Sequence, residues 1–337
     1  MNKKIRIILL LLMISGSAVR AEPAEVIWWE LNEKITAMGN PKTLLLRWGK
    51  FPSAEEKKSI LSQSVVVNNA KGWIRSPDNT ISSISLYPER GTIALKFPPE
   101  KNFAQFNGFY IVGVHLDAGI MDFDADGVKE RIHFYSNCFV HRCKRDGDRG
   151  KNPDVFFRNA EKMALEIGPF IPDLDERIDE MCIATNQKAL EEHKMQVLYK
   201  GRPLVNAKVS ILTESGWKKT AITDSLGVIS VTPLESKLKS KQLWMPVEKY
   251  LYVVLHKEPI MGEYNGIHYA SEYHCASLWM NVQMSPPEWK SKIKGFNLMA
   301  ISGIGFLIIV VILAIYRKKK LDKESIVKFD KHRVRKD

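Results

Sequence analysis

Lys194-Met195-Gln196-Val197-Leu198-Tyr199-Lys200-Gly201-Arg202-Pro203-Leu204-Val205-Asn206-Ala207-Lys208-Val209-Ser210-Ile211 is the stretch that decides the fold class. Residues 194 to 198 alternate polar and apolar, Tyr199 to Leu204 turns the chain, and Val205, Ala207, Val209 and Ile211 repeat at period two. That pattern is a strand, a Gly-Pro turn and a second strand with one buried face. Working outward, Trp217 to Thr223 reads as a third strand. Asp224-Ser225-Leu226-Gly227 reads as a turn whose glycine is free to take positive φ, and Val228 to Val231 as a fourth strand. Tyr250 to Leu255 and Tyr269 to Val282 complete a sandwich of about seven strands over residues 193–290.

The preceding residues are also strand-rich. Val26 to Leu31, Ser64 to Val67, Ile81 to Tyr87, Thr92 to Phe97, Phe109 to Leu116 and Glu130 to Tyr135 are candidates, and only Ser53 to Gln63 has a helical pattern. The expected fold class is therefore all-β. A stretch from residue 22 to 295 exceeds what one small β-domain uses. Two tandem sandwich-like domains are expected, 22–168 and an immunoglobulin-like or prealbumin-like 193–290, joined by an interdomain segment at 169–192.

The ends predict topology. Met1 to Arg6 is basic, Ile7 to Ile14 is apolar, and small residues stand near Val19-Arg20-Ala21, the pattern of a secretory signal peptide over 1–21. An uncharged run from Phe296 to Tyr316 would span roughly 30 Å as a helix, enough to cross a bilayer. After it the tail 317–337 holds ten Lys/Arg against four Asp/Glu, which keeps it cytoplasmic. The expectation is a single-pass protein of the cytoplasmic (inner) membrane with a periplasmic or otherwise extracytoplasmic ectodomain. The formal net charge of +12 sits in the tail and in the four Lys/Arg of the first 21 residues, leaving the ectodomain near neutrality. No basic stripe interleaved with aromatics remains, so a nucleic-acid partner is excluded.

Four cysteines, Cys138, Cys143, Cys182 and Cys275, all fall in the exported part. An oxidising compartment favours disulfides there, with Cys138 to Cys143 and Cys182 to Cys275 as the favoured pairing of three. A thiolate metal site drawing on His133, Cys138, His141 and Cys143 is the rival reading.

Three segments carry a family resemblance: Trp28-Trp29-Glu30, Ala164-Leu165-Glu166-Ile167-Gly168-Pro169, and Val197 to Leu204 with Thr223-Asp224-Ser225-Leu226-Gly227. Together they resemble the periplasmic domain family associated with nickel and cobalt uptake systems, and the later segments resemble prealbumin-like and carboxypeptidase-regulatory-like sandwiches. The resemblance implies a periplasmic, membrane-associated accessory protein beside a transition-metal transporter, with transporter subunits as partners and no enzymatic activity. That branch tends to place a histidine at the mature N-terminus, where this chain has Glu22-Pro23-Ala24-Glu25.

Two local patterns suit cations. Asp122, Asp124 and Asp126 alternate around Gly127, with Glu130 following, and can converge hard oxygens on calcium; an Asp-Gly hairpin turn uses the same residues. His268, Glu272 and His274 share one face of an extended strand, and imidazole with carboxylate suits a nickel or cobalt ion. His268 and His274 lie roughly 20 Å apart on a straight strand, so Glu272 and His274 form the tighter pair. A solvated strand face is the plain alternative. His115, His193 and His256 read as structural. No HExxH helix, nucleophile elbow or phosphate-binding glycine loop is present, consistent with a non-catalytic protein.

Overall fold

The structure is a computed structural model. It describes residues 25–31, 44–52, 61–89, 92–95, 106–123, 126–142, 148–149, 155–171, 187–234, 247–283 and 306–320. The described residues up to Gln283 fall in one compact unit, and residues 306–320 belong to a second.

The first unit is built in three β layers. At its middle is a ten-stranded sheet whose main path runs β15 (Lys218–Ile222), β14 (Lys208–Thr213), β17 (Val247–Glu258), β20 (Ser271–Gln283), β8 (Glu130–Arg142), β7 (Phe106–Met121), β3 (Ala70–Arg75) and β4 (Ile81–Ile84). Short strands β9 (Asp148–Arg149) and β11 (Gln187–Lys188) add to β7 and β20. On one face lies a four-stranded sheet ordered β1 (Val26–Leu31), β2 (Leu44–Gly49), β6 (Thr92–Leu95) and β5 (Leu86–Glu89), with helix α1 (Gln63–Asn69). The other face is covered by β10 (Leu165–Pro169), β12 (His193–Tyr199), β13 (Arg202–Pro203) and β16 (Val228–Val231). A hairpin of β18 (Gly262–Tyr264) and β19 (Ile267–Tyr269) stands apart.

Side-chain parity explains the layering. Along β8, Ile132, Phe134 and Cys138 enter the core against the first sheet, whereas Tyr135 enters the core against β10 and β12. Along β20, Tyr273, Cys275 and Trp279 face one way and Ala276, Leu278 and Met280 the other. A strand covered on both faces loses polar alternation, which is why β20 is buried at nearly every position. In the outer layers β2 and β12 keep it.

The all-β sandwich expectation holds, and residues 193–283 do form two facing sheets. The tandem arrangement does not hold. β20 pairs in parallel with β8, Ser271 opposite Glu130 through Leu278 opposite Asn137, so the inner sheet of the second half continues into the first. The expected break at 169–192 separates no compact units. Local patterning cannot see such a pairing, because it joins residues about 140 positions apart.

Other differences have local causes. Val26 to Leu31 and Val228 to Val231 are strands as expected. The Ser64 to Val67 stretch is instead inside α1, where Ser62 Oγ accepts the Val65 N–H at 3.4 Å as a cap and Val66 is buried. Most of the expected helix, residues 53–60, lies outside the described residues. The Asp224 to Gly227 turn is as read: Asp224 Oδ1 accepts the N–H groups of Leu226 and Val228, both at 2.8 Å, and Gly227 has φ of 69°. The family-like segment also has a structural part, since the buried Glu166 carboxylate accepts the N–H groups of Phe157 at 2.6 Å and Arg158 at 3.0 Å.

The favoured disulfides are corrected where they can be seen. Cys138 and Cys275 are buried free thiols, packed in the apolar core against the first sheet; Cys143 and Cys182 lie outside the described residues. Burial pushes the Cys275 thiol up to about 12 and raises that of Cys138 as well. The parity of β8 also puts Cys138 and His133 on opposite faces, so they cannot share a metal. In the second unit residues 306–320 are helical, and the apolar side chains from Phe306 to Tyr316 are exposed. No helix among the described residues is long and apolar enough to cross a membrane; residues 296–305 of the expected span lie outside them.

Two outcomes are expected. A Cβ at position 227 would stand 2.7 Å from the Val197 carbonyl oxygen, at a φ that L residues disfavour. Gly227→Ala should therefore lower the free energy of unfolding in urea by about 1–3 kcal/mol. Iodoacetamide should leave Cys138 and Cys275 unmodified in the native protein and modify both once the chain is unfolded, as read by peptide mass spectrometry.

Candidate metal centre

At one end of the central sheet, the face turned toward β12 changes from apolar to polar. In β17 the sequence His256-Lys257-Glu258 and in β20 the sequence Glu272-Tyr273-His274 are mirror images. Antiparallel pairing sets His256 opposite His274 and Glu258 opposite Glu272. The parallel neighbour β8 adds His133 beside His274 and Arg131 beside Glu272, and β7 adds Asp117 opposite His133 and His115 opposite Tyr135. Directly opposed side chains on a sheet stand about 4.5–5.5 Å apart at Cβ, so register alone assembles four imidazoles, three carboxylates and a guanidinium.

The rings stack across the strands. His133 and His274 have centroids 5.2 Å apart with an interplanar angle of 15°, His115 and His133 are 5.3 Å apart, and His256 and His274 6.4 Å. His115 Nε2 and His133 Nδ1 are hydrogen-bonded at 3.1 Å. His274, only 4% exposed, has the Tyr135 hydroxyl at 3.2 Å from Nδ1 and the Tyr199 hydroxyl at 3.2 Å from Nε2. Tyr199 also donates to Glu258 Oε2, and the Lys200 ammonium bonds both Glu258 oxygens at 3.0 and 2.9 Å. Glu272 accepts from Tyr269 Oη at 2.9 Å and has Arg131 at 3.8 Å, while Arg131 is held more closely by Asp117 at 2.7 Å.

This environment keeps the histidines neutral. Burial, then the charges of His133 and His256, lower His274 to about 3. Burial and His133 lower His115 to about 4. Burial also lowers His133 and His256. For Glu258, burial pulls upward, but hydrogen bonds from Tyr199 and Lys200 and the Lys200 charge prevail and leave it below the usual carboxylate range. A neutral imidazole beside ionised carboxylates is the protonation state that binds metal.

Glu258, Glu272 and His274 offer three ligand atoms within 4.8 Å of one another. His274 Nε2 is 3.7 Å from Glu272 Oε2 and 3.9 Å from Glu258 Oε2. Donors on a tetrahedral ion at about 2.0–2.2 Å sit roughly 3.4 Å apart; both separations from His274 are within about half an ångström of that spacing, and the three atoms, which lie within 4.8 Å of one another, must draw in to complete the set. Mixed imidazole and carboxylate donors fit zinc, nickel or cobalt.

The sequence-derived sites fare differently. Glu272 and His274 come together as expected. His268 does not join them: it lies on the separate β18–β19 hairpin, 84% exposed on its side chain and 3.8 Å from Glu263. In the expected calcium loop, Asp122 Oδ2 accepts the Gly127 N–H at 3.0 Å and Asp126 Oδ1 that of Val128 at 2.8 Å, so both act as turn acceptors. Asp124 lies outside the described residues. Glu130 is fully buried on the opposite face of β8, bonded by Lys257 at 2.5 Å and Ser271 at 3.2 Å, and is no calcium ligand of that loop. His193 is structural, as expected, bonded to the Lys188 backbone. His115 and His256, also read as structural, instead belong to the cluster, and Glu258, Tyr135 and Tyr199 had not been singled out. The mirrored His-x-Glu and Glu-x-His is the signal that could have found Glu258 and His256.

No family model matches the chain, and no curated protein matches it. Similar solved structures include a tetra-tandem repeat from the extending region of a large adhesion protein (10% identity, 77% of this chain and 49% of that one, TM-score 0.21). Others are a 1.5-MDa bacterial ice-binding adhesin (12%, 78% and 67%, TM-score 0.20) and Salmonella alpha-2-macroglobulin reacted with methylamine (12%, 76% and 15%, TM-score 0.19). The chain spans about half the length of the first of these.

The buried imidazoles make stability pH-dependent. An unfolded histidine titrates near 6.5 and His115 in the fold near 4, so the unfolded chain takes up the proton first as pH falls. The stabilisation is complete above about pH 6.5 and is lost on descent toward pH 4. Urea unfolding followed across this window should show declining stability, and His115→Gln should flatten the decline by up to about 3 kcal/mol.

Proposed function

We propose that this chain is a membrane-anchored, extracytoplasmic accessory protein of a transition-metal uptake system, nickel or cobalt being the cargo, and that its β ectodomain holds the ion at Glu258, Glu272 and His274. The observation that carries the reading is the convergence of those three ligand atoms within 4.8 Å, with His256 as a further imidazole beside them. The signal-like first 21 residues, the uncharged run at 296–316 and the basic tail support export and anchoring. The resemblance of Trp28-Trp29-Glu30, Leu165-Glu166-Ile167 and Val197 to Leu204 to the nickel and cobalt uptake domains supports a transporter subunit as partner. The protein's role in this reading is to bind and present; it performs no catalysis.

A second reading rests on a specific observation too. Every donor of the triad already has an internal partner, Lys200, Arg131 or a tyrosine hydroxyl, so the cluster can serve as a polar brace in an ectodomain that docks another protein.

Calorimetric titration of the purified full-length protein in detergent separates the two. Nickel, cobalt or zinc should bind with one ion per chain, calcium should not, and His274→Ala should abolish the heat. Absence of binding by any transition metal would leave the docking ectodomain.

A further inference from the structure

We propose that the Lys200 ammonium is the resident cation of this centre, and that the Tyr199-Lys200 corner is a latch which a divalent metal must displace in order to bind. The inference rests on the metal reading above and concerns its regulation.

The latch comes from a different layer than the ligands. Glu258, Glu272 and His274 belong to the central sheet; Tyr199 and Lys200 close the β12–β13 hairpin of the sheet packed on it. Its two turn residues, Lys200 and Gly201, have φ of 49° and 76°, as the tight two-residue hairpin turns require. The Lys200 N–H is tied to the Ala164 carbonyl at 2.6 Å. The backbone thus fixes the corner above the site, and the two side chains reach down to it.

Each does one thing a metal would have to undo. Lys200 bonds both oxygens of Glu258, and Arg131, the other cation nearby, is committed to Asp117. The positive charge facing Glu258 is therefore that of Lys200, which a dication would replace. The lysine side chain is 47% exposed, so its released ammonium passes straight to water. Tyr199 acts on the tautomer. Its one proton goes to Glu258 Oε2, so toward His274 Nε2, at 3.2 Å, its oxygen accepts and Nε2 carries the hydrogen. Nδ1 then accepts from the Tyr135 hydroxyl at 3.2 Å. The nitrogen pointing between the two glutamates is thus capped with hydrogen and cannot ligate.

Loading the site requires the opposite tautomer, with Nε2 bare and Nδ1–H donated to Tyr135. A phenol can donate or accept, so Tyr135 supports both states without any net proton gained or lost by His274. Tyr199 has no such place in the loaded state and must move away with Lys200. Because ion and latch exclude each other, apparent affinity falls by the fraction of molecules unlatched. Weakly held hard cations such as calcium or magnesium are then excluded, while ions that favour nitrogen donors displace the lysine.

The test is nickel titration of full-length wild type, Lys200→Gln, Tyr199→Phe and His274→Ala at one pH, each checked by thermal melting. Removing a charge-assisted bond or the capping hydroxyl should make Lys200→Gln and Tyr199→Phe bind roughly 5- to 30-fold tighter than wild type, with His274→Ala not binding. In wild type, nickel should also speed amide exchange over residues 198–204. Equal or weaker binding by both folded latch variants, with the wild type binding normally, overturns the latch and leaves the metal site standing. No binding by wild type or either latch variant overturns the metal reading and the latch with it.

Discussion

The parallel pairing of β8 with β20 is the constraint from which the rest follows. It is formed between segments 141 residues apart and is reinforced from the side by Ser277 Oγ, which bonds Ser136 Oγ at 3.0 Å and the Ile27 carbonyl. A parallel pair in the middle of a sheet needs apolar cover on both faces. Here the cover comes from both directions: the N-terminal strands with Trp28, Trp29 and Trp48 on one side, and β10, β12 and β16 on the other. Three layers, instead of two tandem two-layer sandwiches, are the consequence.

The same pairing creates the polar cluster. It places His133 beside His274 and Arg131 beside Glu272, and the β17–β20 pairing doubles both rows. So many polar groups on a covered face are costly unless each finds a partner. Most do, through a chain of bonds running from Asp117 to Arg131, across Glu272 to Tyr269, and from Tyr135 through His274 and Tyr199 to Glu258 and Lys200. Burial pushes the imidazoles below their ordinary range at a point where Tyr199 and Lys200 hold Glu258 below the usual carboxylate range. The layers contribute different parts: the central sheet supplies Glu258, Glu272 and His274, and the hairpin above supplies the hydroxyl and ammonium bonded to Glu258 and His274.

Several features could be read from residues alone because their causes are local. The alternation from Lys194 to Leu198 and the apolar Val209 and Ile211 match β12 and β14, whereas Val205 is exposed in a second turn before β14, and Asp224 to Gly227 formed the capped turn its composition implied. Glu272 and His274 were legible as a pair because they stand two apart on one strand. His268 failed for the reason already visible in its spacing, since the chain changes hairpin before β20 begins. Glu130, grouped with the expected calcium loop by its spacing, is instead buried and bonded to Lys257 and Ser271 on neighbouring strands. The cysteine pairing failed because compartment and spacing say nothing of which sheet face a thiol occupies, and Cys138 and Cys275 both point into apolar core.

By itself, then, the sequence determined the class of element, several turn types, the near-neutral charge of residues 22–295 and the apolar and basic character of the C-terminal end, because periodicity, glycine conformation and charge are properties of neighbours in the chain. Tertiary structure alone decided the layer count and the membership of the histidine cluster. A strand's register with a distant partner is not written in its own alternation: slipping it by one residue leaves the period unchanged and sends every side chain to the opposite face. The two rows on β17, β20, β8 and β7 exist only in the register that the two packed cores select.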